Sequence, residues 1–140
     1  RVKEVYGEKN RRIQERQSVV EKRFGMKPGQ VIFCCDKIQE TGLSAEAQVE
    51  SLRYRLEAGL PIRRADYAVI RSVMEAGARG VDVIVSGKLR DQRAKSQKYR
   101  DGLLLRTGQT KIDNVDVAVR SISIRSGMIG VKVNICHPVR

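Results

Sequence analysis

Two apolar patterns of different period follow one another along the chain, and they restrict the fold more than any other feature. Between residues 45 and 76, apolar residues recur every three or four positions, which places them on one face of a helix. From 81 to 85 and from 129 to 135 they recur at every second position, as in a strand with one buried face. The residues concerned are Ala45, Val49, Leu52, Leu56, Ile62, Ala65, Val69, Val73, Ala76, Val81, Val83, Val85, Ile129, Val131, Val133 and Ile135. The sequence therefore predicts helices packed on a sheet, an α+β fold.

Caps and turns suggest the bounds of these elements. Ser44 suits the N-cap of the first of the two helices, and Gly59 suits its end. Leu103 to Arg106 is predicted as a short strand. Val115 to Ile124 is predicted as a strand with a bulge, because its alternating apolar residues change phase midway. A helix is the alternative, since Val115, Val119 and Ile122 would share one helix face. Residues 41–140 are thus expected to form two helices and a mostly antiparallel four-stranded sheet.

The first 40 residues have a pattern of their own. Lys9 to Phe24 is predicted to form a helix, since its sparse apolar residues share one face and Gly25 follows. Lys27 to Gln30 carries Pro and Gly at the two central positions of a type II turn. Val31 to Cys35 is predicted to follow as a strand. A polar stretch comes next, and we expect the boundary between two domains, 1–40 and 41–140, to fall there.

The chain is strongly basic. Its 28 lysines and arginines against 16 aspartates and glutamates give a net charge of +12, which favours a polyanionic partner such as nucleic acid. No apolar run approaches the ~20 residues that span a bilayer, and no secretory signal is present. The basic residues form no amphipathic face, so a membrane is not an expected partner. Because the chain begins at Arg1 without a methionine, we expect it to be the middle of a longer polypeptide.

The sequence predicts neither a metal site, nor a cofactor, nor catalysis. Cys34, Cys35 and Cys136 are odd in number and lack Cys-x-x-Cys spacing, which is typical of reduced cytosolic thiols. The carboxylates Glu8, Glu21, Asp82 and Asp101 are scattered, with no cluster suited to metal binding or acid–base work. No glycine-rich nucleotide-binding run occurs.

Two of the predicted helices begin with basic residues, against local preference. A helix start carries a partial positive charge, so acidic residues are favoured there. The first helix instead begins with Lys9, Arg11 and Arg12, and the third begins with Arg63 and Arg64. A phosphate would compensate for this, because it accepts hydrogen bonds from helix N–H groups and guanidinium groups together. The alternative is that these residues simply fray into solvent.

A third basic stretch, residues 88–100, joins two predicted strands. It is too polar to pack and too long for an ordinary hairpin loop. It is either a solvated loop or an arm along an RNA backbone, and its candidate RNA-binding residues are Lys88, Arg90, Arg93, Lys95 and Lys98. With four tyrosines, two phenylalanines and no tryptophan, base stacking is not the expected main mode of binding. The expected main modes of binding are phosphate contact and shape recognition.

Six short runs of sequence, taken together and in order along the chain, indicate a protein family more specifically than any single run does. The first, Gly7-Glu8-Lys9-Asn10-Arg11-Arg12-Ile13, resembles the backbone-clamping Gly-x-x-Gly loop of a KH domain. The others are Glu50-Ser51-Leu52-Arg53-Tyr54-Arg55-Leu56, Arg63-Arg64-Ala65-Asp66-Tyr67, Met74-Glu75-Ala76-Gly77-Ala78-Arg79-Gly80, Val85-Ser86-Gly87-Lys88-Leu89-Arg90 and Gly127-Met128-Ile129-Gly130-Val131-Lys132-Val133. Together they resemble the eukaryotic cytosolic branch of the ribosomal protein S three family, over essentially the whole chain.

The resemblance implies a partial type II KH domain in residues 1–40, followed by the family's C-terminal α+β domain in 41–140. It implies a structural protein in the head of the small subunit of cytoplasmic ribosomes. The implied partners are small-subunit ribosomal RNA, neighbouring ribosomal proteins, and mRNA at the channel where it enters. Arg63 and Arg64 match the family's paired arginines at that channel, and residues 7–12 match the KH loop.

The sequence departs from the family pattern at two places. Asn10 replaces the second glycine of the KH loop, and asparagine tolerates the left-handed conformation that such a turn requires. Tyr67 stands where bacterial members carry a third basic residue, so no role in unwinding mRNA is assigned to it. Two alternatives stay open: a free-standing KH regulator of mRNA, and a nucleic-acid lyase or nuclease.

Overall fold

The computed structural model describes residues 5–89 and 92–138. The chain divides into two compact units, with the boundary between Gln39 and Glu40. Among the described residues of the first unit, the only regular structure is helical, whereas the second unit combines helices with a four-stranded sheet. The predicted α+β class is confirmed.

The first unit contains one long helix, α1 (Arg11–Phe24), which follows a single 3-10 turn at Glu8–Asn10. The helix ends because Gly25 adopts the left-handed conformation at φ 64°, which suits a residue without a side chain. In that conformation the N–H of Gly25 donates to the carbonyl of Glu21, one of the last free acceptors of the helix.

The predicted type II turn at Lys27–Gln30 is confirmed. The N–H of Gln30 donates to the carbonyl of Lys27 at 3.2 Å, and Gly29 takes the positive φ, 89°, that this turn type requires. The buried carboxylate of Glu21 accepts a hydrogen bond from the N–H of Gly29 at 2.7 Å. This bond ties the turn back to α1.

The predicted strand at Val31–Cys35 is wrong, since residues 31–38 form no regular secondary structure. A strand persists only with a hydrogen-bonded neighbour, and residues 5–39 offer it none. Instead, the Tyr6 hydroxyl lies 3.3 Å from both the backbone N and the backbone O of Cys35. A side chain therefore takes the place of a partner strand.

The two helices predicted for the second unit are confirmed as α2 (Ala45–Glu57) and α3 (Ile62–Glu75). Ser44 caps α2 as predicted. A second cap comes from far along the chain, because the carboxylate of Asp116 accepts the N–H of Ala45 at 2.8 Å. That contact fixes the start of α2 against the sheet.

Both helices pack on one face of an antiparallel sheet with strand order β2-β1-β4-β3. The strands are β1 (Gly80–Gly87), β2 (Lys95–Gly102), β3 (Val115–Ile124) and β4 (Gly127–Cys136). The core between sheet and helices includes Val49, Leu52, Val69, Val73, Val81, Val83, Val85, Ile122, Ile129, Val131, Val133 and Ile135. It is formed by the residues whose spacing predicted the fold.

The predicted strand at Leu103–Arg106 is wrong, and the strand is the polar segment before it, β2. Every residue of β2 pairs with β1, from Gly80↔Gly102 to Gly87↔Lys95. An edge strand is held by backbone hydrogen bonds and tolerates charged side chains, so an apolar pattern did not reveal it. Half of the predicted basic loop is therefore part of the sheet.

The predicted bulge in β3 is also wrong. The register of β3 against β4 is continuous from Val115↔Cys136 to Ile124↔Gly127. The change of phase has another cause: Ala118 and Ile122 face the helices, while alternate valines point to the other face of the sheet, where Val119 is 55% exposed. A short helix, α4 (Gln109–Asn114), precedes β3 and was not predicted.

Candidate nucleic-acid interface

A groove of about 1180 Å³ lies beside the start of α3. Its walls come from the turn between α2 and α3, from β2, and from the hairpin turn between β3 and β4. The lining includes the apolar residues Leu56, Leu60, Ile62, Leu89, Ile124 and Ile129 and the basic residues Arg63, Lys98 and Arg125. Apolar surface beside positive charge suits ligands that combine flat rings with phosphates.

The start of α3 is positively charged and uncapped. Pro61 occupies the cap position, no side chain caps the helix, and the first turn holds no acidic residue. The first N–H groups of the helix therefore lack an acceptor from a capping side chain. Arg63 and Arg64 are exposed and add two charges to the partial positive charge of the helix start. This arrangement favours an anion.

The groove gathers some of the predicted candidate residues and leaves others outside. Arg63 and Lys98 both line it, although they are far apart in sequence. Four other candidates of this unit, Arg64, Lys88, Arg93 and Lys95, are exposed but are not part of its lining. Arg90, which was also predicted, lies outside the described residues.

Two residues that line the groove, Arg125 and Tyr99, were not predicted. Arg125 precedes Ser126 and Gly127, a pair that suits a tight hairpin turn, so a basic residue next to a turn was the available signal. Tyr99 reaches the groove because it pairs with Val83 in the register of β1 and β2. That register could not be deduced while β2 was taken for a loop.

Tyr67, on α3, contacts both Arg63 and Tyr99 beside the groove. The guanidinium carbon of Arg63 lies 5.8 Å from the centroid of the Tyr67 ring, within the range of a cation–π contact. The rings of Tyr67 and Tyr99 meet edge to face, with centroids 5.5 Å apart and an interplanar angle of 63°. Tyr67 is nevertheless 51% exposed.

Asp66, next to Tyr67, is fully buried, and neither of its carboxylate oxygens has a hydrogen-bond partner among the described residues. Burial raises the pKa of Asp66 to about 7, because desolvation disfavours the charged form. Burial, followed by the charge of Asp66, also raises the pKa of Tyr99. A carboxyl group that titrates near neutral pH therefore lies three residues after Arg63.

The loop at Gly7–Asn10 in the first unit has an unusual backbone. Gly7, Lys9 and Asn10 have φ values of 70°, 50° and 61°. Gly7 combines its positive φ with a ψ of −175°, a conformation that only glycine adopts readily. The left-handed Asn10 agrees with the expectation that asparagine can stand in for the second glycine.

The residues around this loop resemble the start of α3 in charge. Glu8, Lys9, Asn10, Arg11 and Arg12 are all exposed. The first turn of α1 contains no acidic residue, and no side chain caps it. Arg11 pairs with Glu15 at 2.9 Å, but both side chains are exposed, so this ion pair is weak.

The face of the sheet away from the helices is partly open. A pocket of about 280 Å³ lies on it, with Ile84, Leu104, Leu105, Val115 and Val117 among its apolar lining and Arg106, Lys111 and Lys132 as basic residues. Val119 extends the same face. We call the exposed side chains Val117, Val119 and Lys132, together with this pocket, the open face.

Within residues 5–89 and 92–138, no three His, Cys, Asp or Glu side chains are grouped as metal ligands would be. In those same ranges, no helix is long and apolar enough to cross a lipid bilayer. Cys34, Cys35 and Cys136 are free thiols.

The model of the family "Ribosomal protein S3, C-terminal domain" matches residues 52–135, which include α3 and all of the sheet except Cys136, the last residue of β4. The chain is 51% identical over 135 residues to "Small ribosomal subunit protein uS3" of Schizosaccharomyces pombe, covering 96% of this chain and 54% of that protein. It is 52% identical over 134 residues to the protein of the same name from Dictyostelium discoideum, covering 96% and 62%. The chain thus spans little more than half the length of these curated relatives. The resemblance predicted from the six runs is confirmed, and the chain belongs to the ribosomal protein S3 family.

Proposed function

We propose that this chain is a structural component of the small ribosomal subunit and binds its RNA. The observation that carries the proposal is the basic groove beside α3, in a domain whose relatives are named small ribosomal subunit proteins. A net charge of +12 suits a partner with a phosphate backbone. Because the relatives are ribosomal proteins of eukaryotes, the proposed location is the cytoplasmic ribosome.

Arg63 and Arg64 are the proposed contacts to mRNA, at the channel where it enters the head of the subunit. Both are exposed on the first turn of a helix that has neither an acidic residue nor a side-chain cap at its start. A phosphate there would accept hydrogen bonds from backbone N–H groups and from guanidinium groups together. Such charge-assisted hydrogen bonds are about twice as strong as neutral ones. Their positions match the family's paired arginines.

Ribosomal RNA is the proposed ligand of the remaining basic residues. In the second unit these are Lys88, Arg90, Arg93, Lys95 and Lys98. In the first unit they belong to the loop at residues 7–12, which we propose to be the clamping loop of a partial type II KH domain within residues 1–40. The exposure of residues Glu8 to Asn10 and the glycine-only backbone of Gly7 support a close approach to a ligand.

The open face is the proposed contact to a neighbouring ribosomal protein. The valines on this exposed sheet face stay in contact with water unless another protein buries them. Val119, at 55% exposure, and Val117, at 42%, lie beside the basic residues Lys111 and Lys132. This combination suits a partner that presents both apolar and acidic side chains.

We propose no catalytic activity. The relatives are named as ribosomal proteins, which supports a structural role over a lyase or nuclease. A free-standing KH regulator differs from the ribosomal proposal in where the protein resides in a cell. That difference makes the two proposals separable by one experiment.

The test is sedimentation of a cell lysate on a sucrose gradient at moderate salt, with detection of the protein in every fraction. Co-migration with small subunits and translating ribosomes is the expected result. Recovery in light fractions alone would overturn the ribosomal proposal in favour of the free regulator. Moderate salt is needed because it weakens adventitious phosphate contacts.

The role of the arginine pair needs its own variants. Arg63→Ala/Arg64→Ala should weaken binding to single-stranded RNA, and the slope of log affinity against log salt should fall by about 0.7 for each lost phosphate contact. Arg71→Ala/Arg79→Ala removes two other exposed arginines from the same unit and serves as the control with matched charge. Equal losses in both variants would mean that net charge alone binds RNA and that the arginine pair has no special role.

A further inference from the structure

The ring of Tyr67, beside the groove, is held by contacts with two other side chains. Tyr67 is held on one side by Arg63, at 5.8 Å, and on its edge by Tyr99, with 5.5 Å between ring centroids. Tyr99 in turn packs against the core, and its hydroxyl donates to Oε1 of Gln97 at 2.8 Å. The position of the Tyr67 ring is therefore set before any ligand arrives.

The ring nonetheless keeps about half of its surface in water. A fixed, exposed aromatic ring next to a planar guanidinium presents two surfaces on which a nucleobase can stack. Little conformational entropy remains to be lost on binding, since the ring is already held in place. Arg63 and Tyr99 both line the basic groove, so the stacking surface lies at the edge of the proposed RNA site.

We propose that Tyr67 and Arg63 form a stacking site for one unpaired nucleobase of a single-stranded RNA, with Tyr99 as the residue that positions the ring. The inference rests on the proposed RNA-binding function and deepens it. Arg125, which also lines the groove, supplies positive charge for the phosphates of the same strand. Buried Asp66 touches no ligand in this arrangement and adds no exposed negative charge to the site.

The ligand must be single-stranded because stacking on protein rings requires a base that has left its own helix. The site stacks on a base without reading which base it is, since every base has a π-face. Loss of the ring should therefore weaken binding of any base-bearing strand. Alanine substitution of such platforms typically weakens binding by about tenfold or more per base.

The experiment compares two fluorescent ligands of equal length and charge, a single-stranded RNA and a ribose-phosphate chain without bases, by anisotropy titration of the full chain. Tyr67→Leu should bind the RNA about tenfold less tightly than the unmodified protein and the abasic chain equally well. Tyr67→Phe keeps the ring and should behave as the unmodified protein. Tyr54→Leu, which removes a 67% exposed tyrosine of α2, should also be unchanged.

The variants separate the failure of this inference from the failure of the proposed function. Equal binding of RNA by Tyr67→Leu and the unmodified protein would overturn the stacking site, and so would equal loss on both ligands, which indicates a structural role for the ring. If Arg63→Ala/Arg64→Ala still loses affinity in that case, the proposed function stands. If that pair binds both ligands normally, the proposed RNA contact of Arg63 and Arg64 is wrong. Should Tyr67→Leu melt at a lower temperature, Tyr67→Gln replaces it under the same criteria.

Discussion

At the scale of single residues, Asp66 has the least favourable surroundings in the described chain. It is fully buried on α3, its oxygens have no hydrogen-bond partner among the described residues, and its pKa is raised from 3.8 to about 7. Between those two pH values the folded protein binds a proton that the unfolded chain has released. Stability therefore falls as pH rises from about 4 to 7, and it stays low above pH 7.

Asp66→Ala should remove this dependence. The cost of ionising the buried carboxyl is on the order of 4 kcal/mol, so the free energy of unfolding of the variant, relative to the unmodified protein, should rise between pH 4 and 7 and then level off. Urea unfolding at pH 4, 5.5, 7 and 8.5 measures it. Asp101→Ala removes an exposed carboxylate and should show a small difference at every pH. A pH-independent difference for Asp66→Ala would mean that the carboxyl has a partner in solution.

At the scale of elements, α2 and the edge strand β3 are joined by two kinds of contact, a carboxylate that caps a backbone N–H and an ion-pair network. The carboxylate of Asp116 accepts the N–H of Ala45, a fully buried residue at the positively charged start of α2. Arg120 reaches Glu46 at 2.7 Å and Glu50 at 3.2 Å, but the side chains of this network are exposed. Only the first contact satisfies a buried group.

Asp116→Ala should therefore destabilise the domain by about 1–3 kcal/mol, because it leaves the N–H of Ala45 without an acceptor. Arg120→Ala removes an exposed network and should cost less than about 1 kcal/mol. Chemical denaturation of both variants at neutral pH compares the two costs. A larger loss for Arg120→Ala would show that the surface network, and not the cap, docks α2 on β3.

The same elements show how far sequence alone could reach. α2, α3, β1 and β4 were predicted because their buried faces repeat at a period that one segment displays by itself. β2 was missed because backbone pairing with β1 forms it, and its side chains give no apolar signal. Arg63 and Arg64 stood out from local charge preference, whereas Arg125 and Tyr99 join the groove only through strand register.

At the scale of the whole second unit, the sheet has one covered face and one open face. The helices bury the first, and residues such as Val117 and Val119 remain at the surface of the second. Monomeric proteins seldom keep contiguous apolar patches exposed without a partner. The open face is therefore where assembly into a larger particle would be most sensitive to substitution.

Val117→Glu/Val119→Glu should leave the fold almost unchanged, since both side chains are exposed, with a change in unfolding free energy within about 1 kcal/mol. It should, however, reduce the fraction of protein that co-migrates with small subunits, because charge would be placed in an apolar contact. Tyr54→Glu, on the helix layer, is the matched control for an exposed apolar-to-acidic change. Normal incorporation of the double variant would exclude the open face as a protein contact.

The β2 edge of the sheet is unsuited to pairing with a second copy of the chain. β2 exposes lysines at positions 95 and 98 along its free side. Two molecules meeting edge to edge there would bring like charges together across the new strand pair, which opposes aggregation. A polyanion approaching the same edge is attracted. The charge of β2, the polar strand that was not predicted, therefore opposes edge-to-edge pairing and favours a polyanion at the same edge.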